Sequence, residues 1–148
     1  MRKKKIVIYY RISKKTKNNI RMQRKVCRDY SLMKKYKIVK EYIDNGFSGK
    51  TKNRPALKKL LLDVKENKIN SVLVYKIDRL GRKFSYLNSI FEELENKNIE
   101  VLSATQNFDN DTPEGKFMLR ILMILSEFES NMISSRIKDG IRASKTKR

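Results

Sequence analysis

The chain predicts an α/β fold, with a mostly parallel sheet of four to five strands flanked by helices and followed by a long C-terminal helix. Three observations carry this. Short runs of β-branched and aromatic residues alternate with longer stretches of helical periodicity, which is the order of a parallel sheet with crossover helices. Two of the strand-like runs end in charged residues. The segment from Pro113 to about Ser144 stays helical in pattern throughout.

The elements follow in order. Residues 5–12 form the first strand, because Ile6, Val7, Ile8, Tyr9 and Tyr10 read as a run buried on both faces. Arg11 and Ser13 stand two apart at its end, so they share a side. A helix runs from about Asn19 to Tyr36, with Ile20, Gln23, Cys27 and Tyr30 on one stripe. Ile38 to Tyr42 forms a short second strand, and residues 44–53, rich in Gly, Asn and Ser, form a loop. Pro55 suits the first turn of a helix that reaches about Asn67. Ser71 to Lys76 is the third strand and runs into Asp78-Arg79-Leu80-Gly81-Arg82. Phe84 to Lys97 is helical, with Leu87, Ile90, Phe91 and Leu94 inward, and Val101 to Ala104 is the fourth strand.

Thr112 is a fair N-cap for the last helix, and Glu114 suits its positive end. Phe117, Met118, Leu119, Ile121, Leu122, Met123, Ile124, Leu125 and Phe128 make this helix apolar nearly all round, so more than one side must be covered. The sheet domain covers one side. A partner subunit covering the rest is the preferred reading, giving a homodimer or tetramer through residues 113–144. The alternative is a central helix buried within one domain.

The formal charge of +20 is unevenly spread. Residues 1–54 hold 19 Lys and Arg against 3 Asp and Glu, residues 55–135 hold 11 against 12, and residues 136–148 hold 6 against 1. Basic ends around a neutral middle point to a polyanion, and no segment resembles an interfacial helix with Trp anchors. The chain has no His and one Cys, which excludes a disulfide framework and a zinc site. The longest apolar stretch, Phe117 to Phe128, is too short for a bilayer and contains Arg120 and Glu127. No signal peptide is visible, so a cytoplasmic protein is expected.

One serine among arginines, without histidine, suits a nucleophile acting on phosphate. Attack on a phosphodiester builds charge on the non-bridging oxygens, and the planar, always protonated guanidinium binds those oxygens bidentately. The candidate donors are Arg11, Arg54, Arg79, Arg82 and Arg136. Asp78 could orient a guanidinium or act as the acid that protonates the leaving oxygen.

Five segments together resemble the catalytic domain of serine recombinases, the resolvase–invertase family: Tyr10-Arg11-Ile12-Ser13, Asp44-Asn-Gly-Phe-Ser-Gly49, Asn53-Arg54-Pro55, Tyr75-Lys76-Ile77-Asp78-Arg79-Leu80-Gly81-Arg82 and Glu127-Phe128-Glu129. The loop 47–49 followed by Arg54-Pro55 looks more like the large serine recombinases, the phage integrase and transposon type, than the small resolvases. The resemblance implies that Ser13 attacks a phosphodiester of double-stranded DNA, forming a 5′-phosphoserine link and releasing a 3′-hydroxyl. It matches Arg11, Arg79 and Arg82 to the arginines around the scissile phosphate, with Asp78 as their acidic neighbour. Arg54 matches the loop arginine, Gln23 the helix glutamine facing the site, Lys76 the strand-end lysine and Arg136 the arginine of the long helix. It implies neither cofactor nor metal. Lys17 stands where many members have glutamine, and Ser130 and Ser135 where charged residues are common. The expected organisation is a catalytic domain over residues 1–112 and an oligomerisation helix with a basic tail over 113–148. The sequence is expected to be a catalytic-domain fragment, without the DNA-binding domains that follow the long helix in the family. The rival readings are a small resolvase-type enzyme and a DNA-binding or oligomerisation module without chemistry.

Overall fold

A computed structural model describes residues 2–12, 19–47, 53–66, 68–108 and 112–146. The chain runs β1 (Lys5–Ile12), α1 (Asn19–Met33), β2 (Lys37–Asn45), α2 (Pro55–Glu66), β3 (Ser71–Val74), a 3-10 turn (Ile77–Arg79), α3 (Phe84–Asn96), β4 (Glu100–Ser103) and α4 (Pro113–Thr146). The described strands form one four-stranded sheet in the order β2-β1-β3-β4, every pair parallel.

The apolar run of β1 is buried on both faces because it lies at the sheet centre, paired with β2 and β3. Its side chains alternate between two cores. Val7 and Tyr9 join Val72, Val74 and Val101 under α2 and α3, together with Leu119 and Met123 of α4. Ile6, Ile8 and Tyr10 join Leu73 and Leu102 on the opposite face, beneath Cys27 of α1, with Ile20 and Tyr30 packed at the margin. The predicted α1 stripe therefore faces inward, Gln23 included.

Several boundaries differ from the sequence reading, each for a local reason. α1 stops at Met33, not Tyr36, because Lys35 turns left-handed at φ 59° and the Tyr36 and Lys35 amides close back on the Ser31 and Leu32 carbonyls. Asn98 ends α3 in the same way, its own amide and that of Ile99 bonding Glu95 and Leu94 carbonyls. β3 ends at Val74 because the Tyr75 carbonyl accepts the Ser103 and Thr105 hydroxyls instead of a ladder bond.

β2 reaches Asn45, absorbing the start of the predicted loop, since parallel pairing with β1 continues to Ile12 opposite Asn45. This places Asp44, 1% exposed, at the entrance to α2. Its Oδ1 accepts the Ala56 amide at 2.9 Å, and its Oδ2 accepts the Leu57 amide at 3.0 Å and the Tyr9 hydroxyl at 2.8 Å. A carboxylate thus satisfies first-turn amides that have no acceptor within the helix.

Thr112 caps α4 as expected, its hydroxyl accepting the Gly115 amide at 3.0 Å. Gly115, Leu119 and Met123 are buried at four-residue steps, and Ser130 is the last buried side chain of the helix. From residue 131 to 146 every side chain except Ser134 is exposed. No helix among the described residues is long and apolar enough to cross a membrane.

Replacing Asp44 by Ala leaves the Tyr9 hydroxyl and two amides without their acceptor. The expected cost is roughly 3 kcal/mol. Urea unfolding of Asp44→Ala and wild type measures it, and an unchanged midpoint would show that the carboxylate contributes nothing to the fold.

Candidate active site

The carboxyl ends of β1, β2 and β3 converge on the turn that follows β3, and this is where the arginines gather. Arg11 and Arg54 are 1% and 0% exposed, an unusual state for guanidinium groups. Both are occupied by backbone carbonyls. Arg11 donates Nε to Arg79 O at 3.1 Å, Nη2 to Asp78 O at 2.9 Å and Nη1 to Phe47 O at 3.3 Å. Arg54 donates Nη1 to Arg79 O at 3.0 Å and Nη2 to Leu80 O, with its guanidinium 5.1 Å from the Tyr86 ring centre. The carbonyls of residues 78–80 are thus the acceptors of two buried cations.

Arg79 and Arg82 are only partly buried. Arg79 donates Nη1 to Arg11 O at 3.3 Å, an oxygen that also accepts Gln23 Nε2 at 3.3 Å. Arg79 Nε lies 3.5 Å from Asp78 Oδ1, an ion-pair distance that lacks hydrogen-bond geometry. Buried Arg54 Nε, Arg79 Nε and Asp78 Oδ1 all lack a hydrogen-bond partner.

The charge balance is lopsided. Burial lowers the Arg11 pKa to about 10, and repulsion from Arg79, Arg82 and Arg54 adds to this while Asp78 opposes it. Arg11 remains protonated at neutral pH, but in surroundings already rich in positive charge. A bound anion relieves that repulsion. Arg79 and Arg82 are the partly exposed members of the cluster, and guanidinium groups of this kind suit an oxyanion of phosphate or sulfate type.

The site thus brings together Arg11, Arg54, Arg79, Arg82, Asp78 and Gln23. Lys76 is not drawn in: it is exposed, its ammonium 6.0 Å from the Tyr75 ring centre. Arg136 is exposed on α4, about 20 Å along the helix axis beyond Met123 at 1.5 Å per residue. Ser13 and Lys17 lie outside the described residues, as do Ser48 and Gly49, while Ile12, next to Ser13, is buried at the end of β1. Sequence reasoning missed Gln106, whose Oε1 accepts the Ile77 amide at 2.9 Å and braces the same turn. The polar run Ser103-Ala-Thr-Gln106 directly after a strand was the available signal. No group of three or more His, Cys, Asp or Glu that could hold a metal occurs among the described residues.

The profile of the family described as Resolvase, N terminal domain matches residues 6–148. The chain belongs to this family, the serine recombinase catalytic domain. This resolvase-type domain is 36% identical over 98 residues to the DNA-invertase of Escherichia phage P1, a match covering 66% of the chain and 52% of the invertase. It is also 36% identical over 104 residues to a putative DNA recombinase of Bacillus subtilis (strain 168), covering 70% of the chain and 21% of that protein. The chain spans about half the length of the phage P1 and P7 invertases it matches. Among solved structures, the N-terminal catalytic domain of TP901-1 integrase superposes with a TM-score of 0.70 at 30% identity, covering 87% of this chain and 98% of that one.

An anion seated on Arg79 and Arg82 should stabilise the fold. Sulfate, compared with chloride at equal ionic strength, is expected to raise the wild-type Tm by roughly 2–5 °C more than that of an Arg79→Ala/Arg82→Ala double variant. The double variant controls for the general salting effect of sulfate. Equal increments in both proteins would mean that the cluster holds no anion.

Proposed function

We propose that this domain cleaves and rejoins double-stranded DNA as the catalytic part of a cytoplasmic site-specific recombinase of the large serine type. The observation that carries the reading is the convergence of four arginines on the 78–82 turn, beside the strand end that leads into Ser13. The names of its relatives, DNA-invertase and DNA recombinase, agree with it. The integrase catalytic domain, and a relative of which the match covers only 21%, favour the large type.

In this reading the Ser13 Oγ attacks phosphorus, the bond from phosphorus to O3′ breaks, and the proton ends on O3′. Enzyme and 5′ phosphate are then joined as a phosphoserine, and the 3′-hydroxyl reverses the step on a new strand. The phosphoester keeps the energy of the broken bond, so rejoining needs no nucleotide. Arg79 and Arg82 stabilise the non-bridging oxygens as charge builds there. Asp78 orients Arg79 or protonates the leaving oxygen. Arg11 and Arg54 hold the turn in shape and add positive potential, and Gln23 fixes the Arg11 carbonyl from below. Lys76 and Arg136, outside the cluster, suit phosphates farther along the duplex. Residues 1–112 carry the chemistry, and 113–148 carry association and basic contacts.

Incubation with DNA followed by denaturation tests this directly. Wild type should yield protein covalently attached to 5′ ends, and Ser13→Ala should yield none while retaining DNA affinity. Arg82→Lys should lose roughly two orders of magnitude in cleavage, because a point charge does not reproduce the guanidinium fork. An adduct that survives Ser13→Ala would reassign the nucleophile. Binding without any adduct would leave a DNA-binding module.

Association is proposed to run through α4. Phe117, Ile124 and Phe128 are 66%, 56% and 59% exposed, and Ile121, Leu125 and Met132 extend the same apolar surface. A helix of 34 residues, about 50 Å long, that leaves such a surface open suits a two-fold partner, and two such dimers would align four sites on two duplexes. Sedimentation should show a concentration-dependent dimer that becomes a monomer in Ile124→Asp/Phe128→Asp. A wild type that stays monomeric at high concentration would remove the helix as a self-sufficient interface.

A further inference from the structure

Glu127 belongs to the Glu-Phe-Glu segment, which the chemistry above does not use. It is half-buried on α4, and its Oε2 accepts the backbone amide of Phe84 at 3.2 Å across 43 residues of sequence. Phe84 is the first residue of α3, where an amide has no acceptor within its own helix. Lys83, in the capping position, makes no side-chain cap hydrogen bond. The cap is therefore supplied by another helix, as a carboxylate at the positive end of α3.

What lies next to this cap gives it meaning. Arg82 is two residues before Phe84, so the cap fixes the downstream end of the arginine turn. The upstream side is pinned by Arg11 and Arg54 through the carbonyls of 78–80. Between them Gly81 is pressed so closely that a Cβ would stand 3.1 Å from Tyr86 Cδ1 and 3.5 Å from Arg54 Nη2. Beneath the turn, Leu119 and Met123 of α4 share one core with Ile77, Leu80 and Leu87. The turn has little freedom of its own, and its outer end follows α4.

We infer that Glu127 is a positioning residue: by capping α3 from α4 it sets where Arg82 stands, and so ties the guanidinium geometry to the placement of the long helix. The functional part rests on the reading that Arg82 meets the scissile phosphate. The consequence is specific. The exposed apolar side chains Ile124 and Phe128 border Glu127 on α4, so a small displacement of α4 by a partner is transmitted through the Glu127 carboxylate to the Phe84 amide and the residues just before it.

Glu127→Ala and Glu127→Gln test this on the whole chain with two readouts. In hydrogen exchange followed by NMR, Glu127→Ala should speed Phe84 amide exchange about fivefold, the size of a lost cap, with Ile90 and Leu94 unchanged. In the adduct assay at saturating DNA, Glu127→Ala should cleave about tenfold more slowly with unaltered DNA affinity, since orientation and not binding is lost. Glu127→Gln keeps an acceptor oxygen and should restore most of both. Unchanged Phe84 exchange in Glu127→Ala would overturn the cap, and wild-type cleavage despite faster exchange would overturn the positioning role. Equal acceleration of all core amides would overturn it too, by showing global destabilisation instead. A wild-type chain that makes no adduct would refute the cleavage reading itself, while Phe84 exchange would still support or overturn the cap.

Discussion

The burial of Arg11 and Arg54 against the carbonyls of residues 78–80 is the constraint around which the site is arranged. Two guanidinium groups removed from water are costly unless their donors are met, and four of their six nitrogens are met by one short stretch of backbone. The bonds hold in both directions. The turn keeps its shape because the arginines span it, and the arginines stay buried because the turn offers carbonyls on the protein side. Positive charge is thereby fixed beneath Arg79 and Arg82 without exposing more than those two side chains.

The sheet supplies the foundation. β1 occupies the centre, so the chain leaving it arrives with both neighbours already placed. Asp44 then ties β2 to the start of α2 and, through Tyr9, back to β1. Burial raises the pKa of the Tyr9 hydroxyl, so it remains a donor to that carboxylate at any physiological pH. A single acidic side chain thus keeps β1, β2 and the beginning of α2, next to Arg54, in fixed relation.

Much of this was legible in the sequence. The alternation of strand and helix patterns, the inward stripe with Gln23, the Thr112 cap and the arginine turn all follow from local spacing and residue type. The rest depends on partners distant in sequence. The Asn53-Arg54-Pro55 segment marks Arg54 as a site residue but not as a buried one, and yet Arg54 is buried with Leu80 O as an acceptor while Lys76 and Arg136 are solvated. Asp44 read as a loop residue because Asn45 and Gly46 follow it, and only the neighbouring strand keeps it extended. Gln106 and Glu127 act on amides far away in the chain, which no periodicity records.

The placement of β1 also constrains how the domain can assemble. β1 precedes the other described strands in the chain, while one partner, β3, begins at Ser71 and the turn that receives Arg11 lies beyond Tyr75. Contacts this distant carry the loop-closure cost that slows folding in parallel sheets. During synthesis the Arg11 side chain must therefore remain hydrated until residues 78 and 79 have emerged. Its burial and the closing of the sheet centre belong to the same late step, so a chain that completes its fold completes its arginine cluster with it.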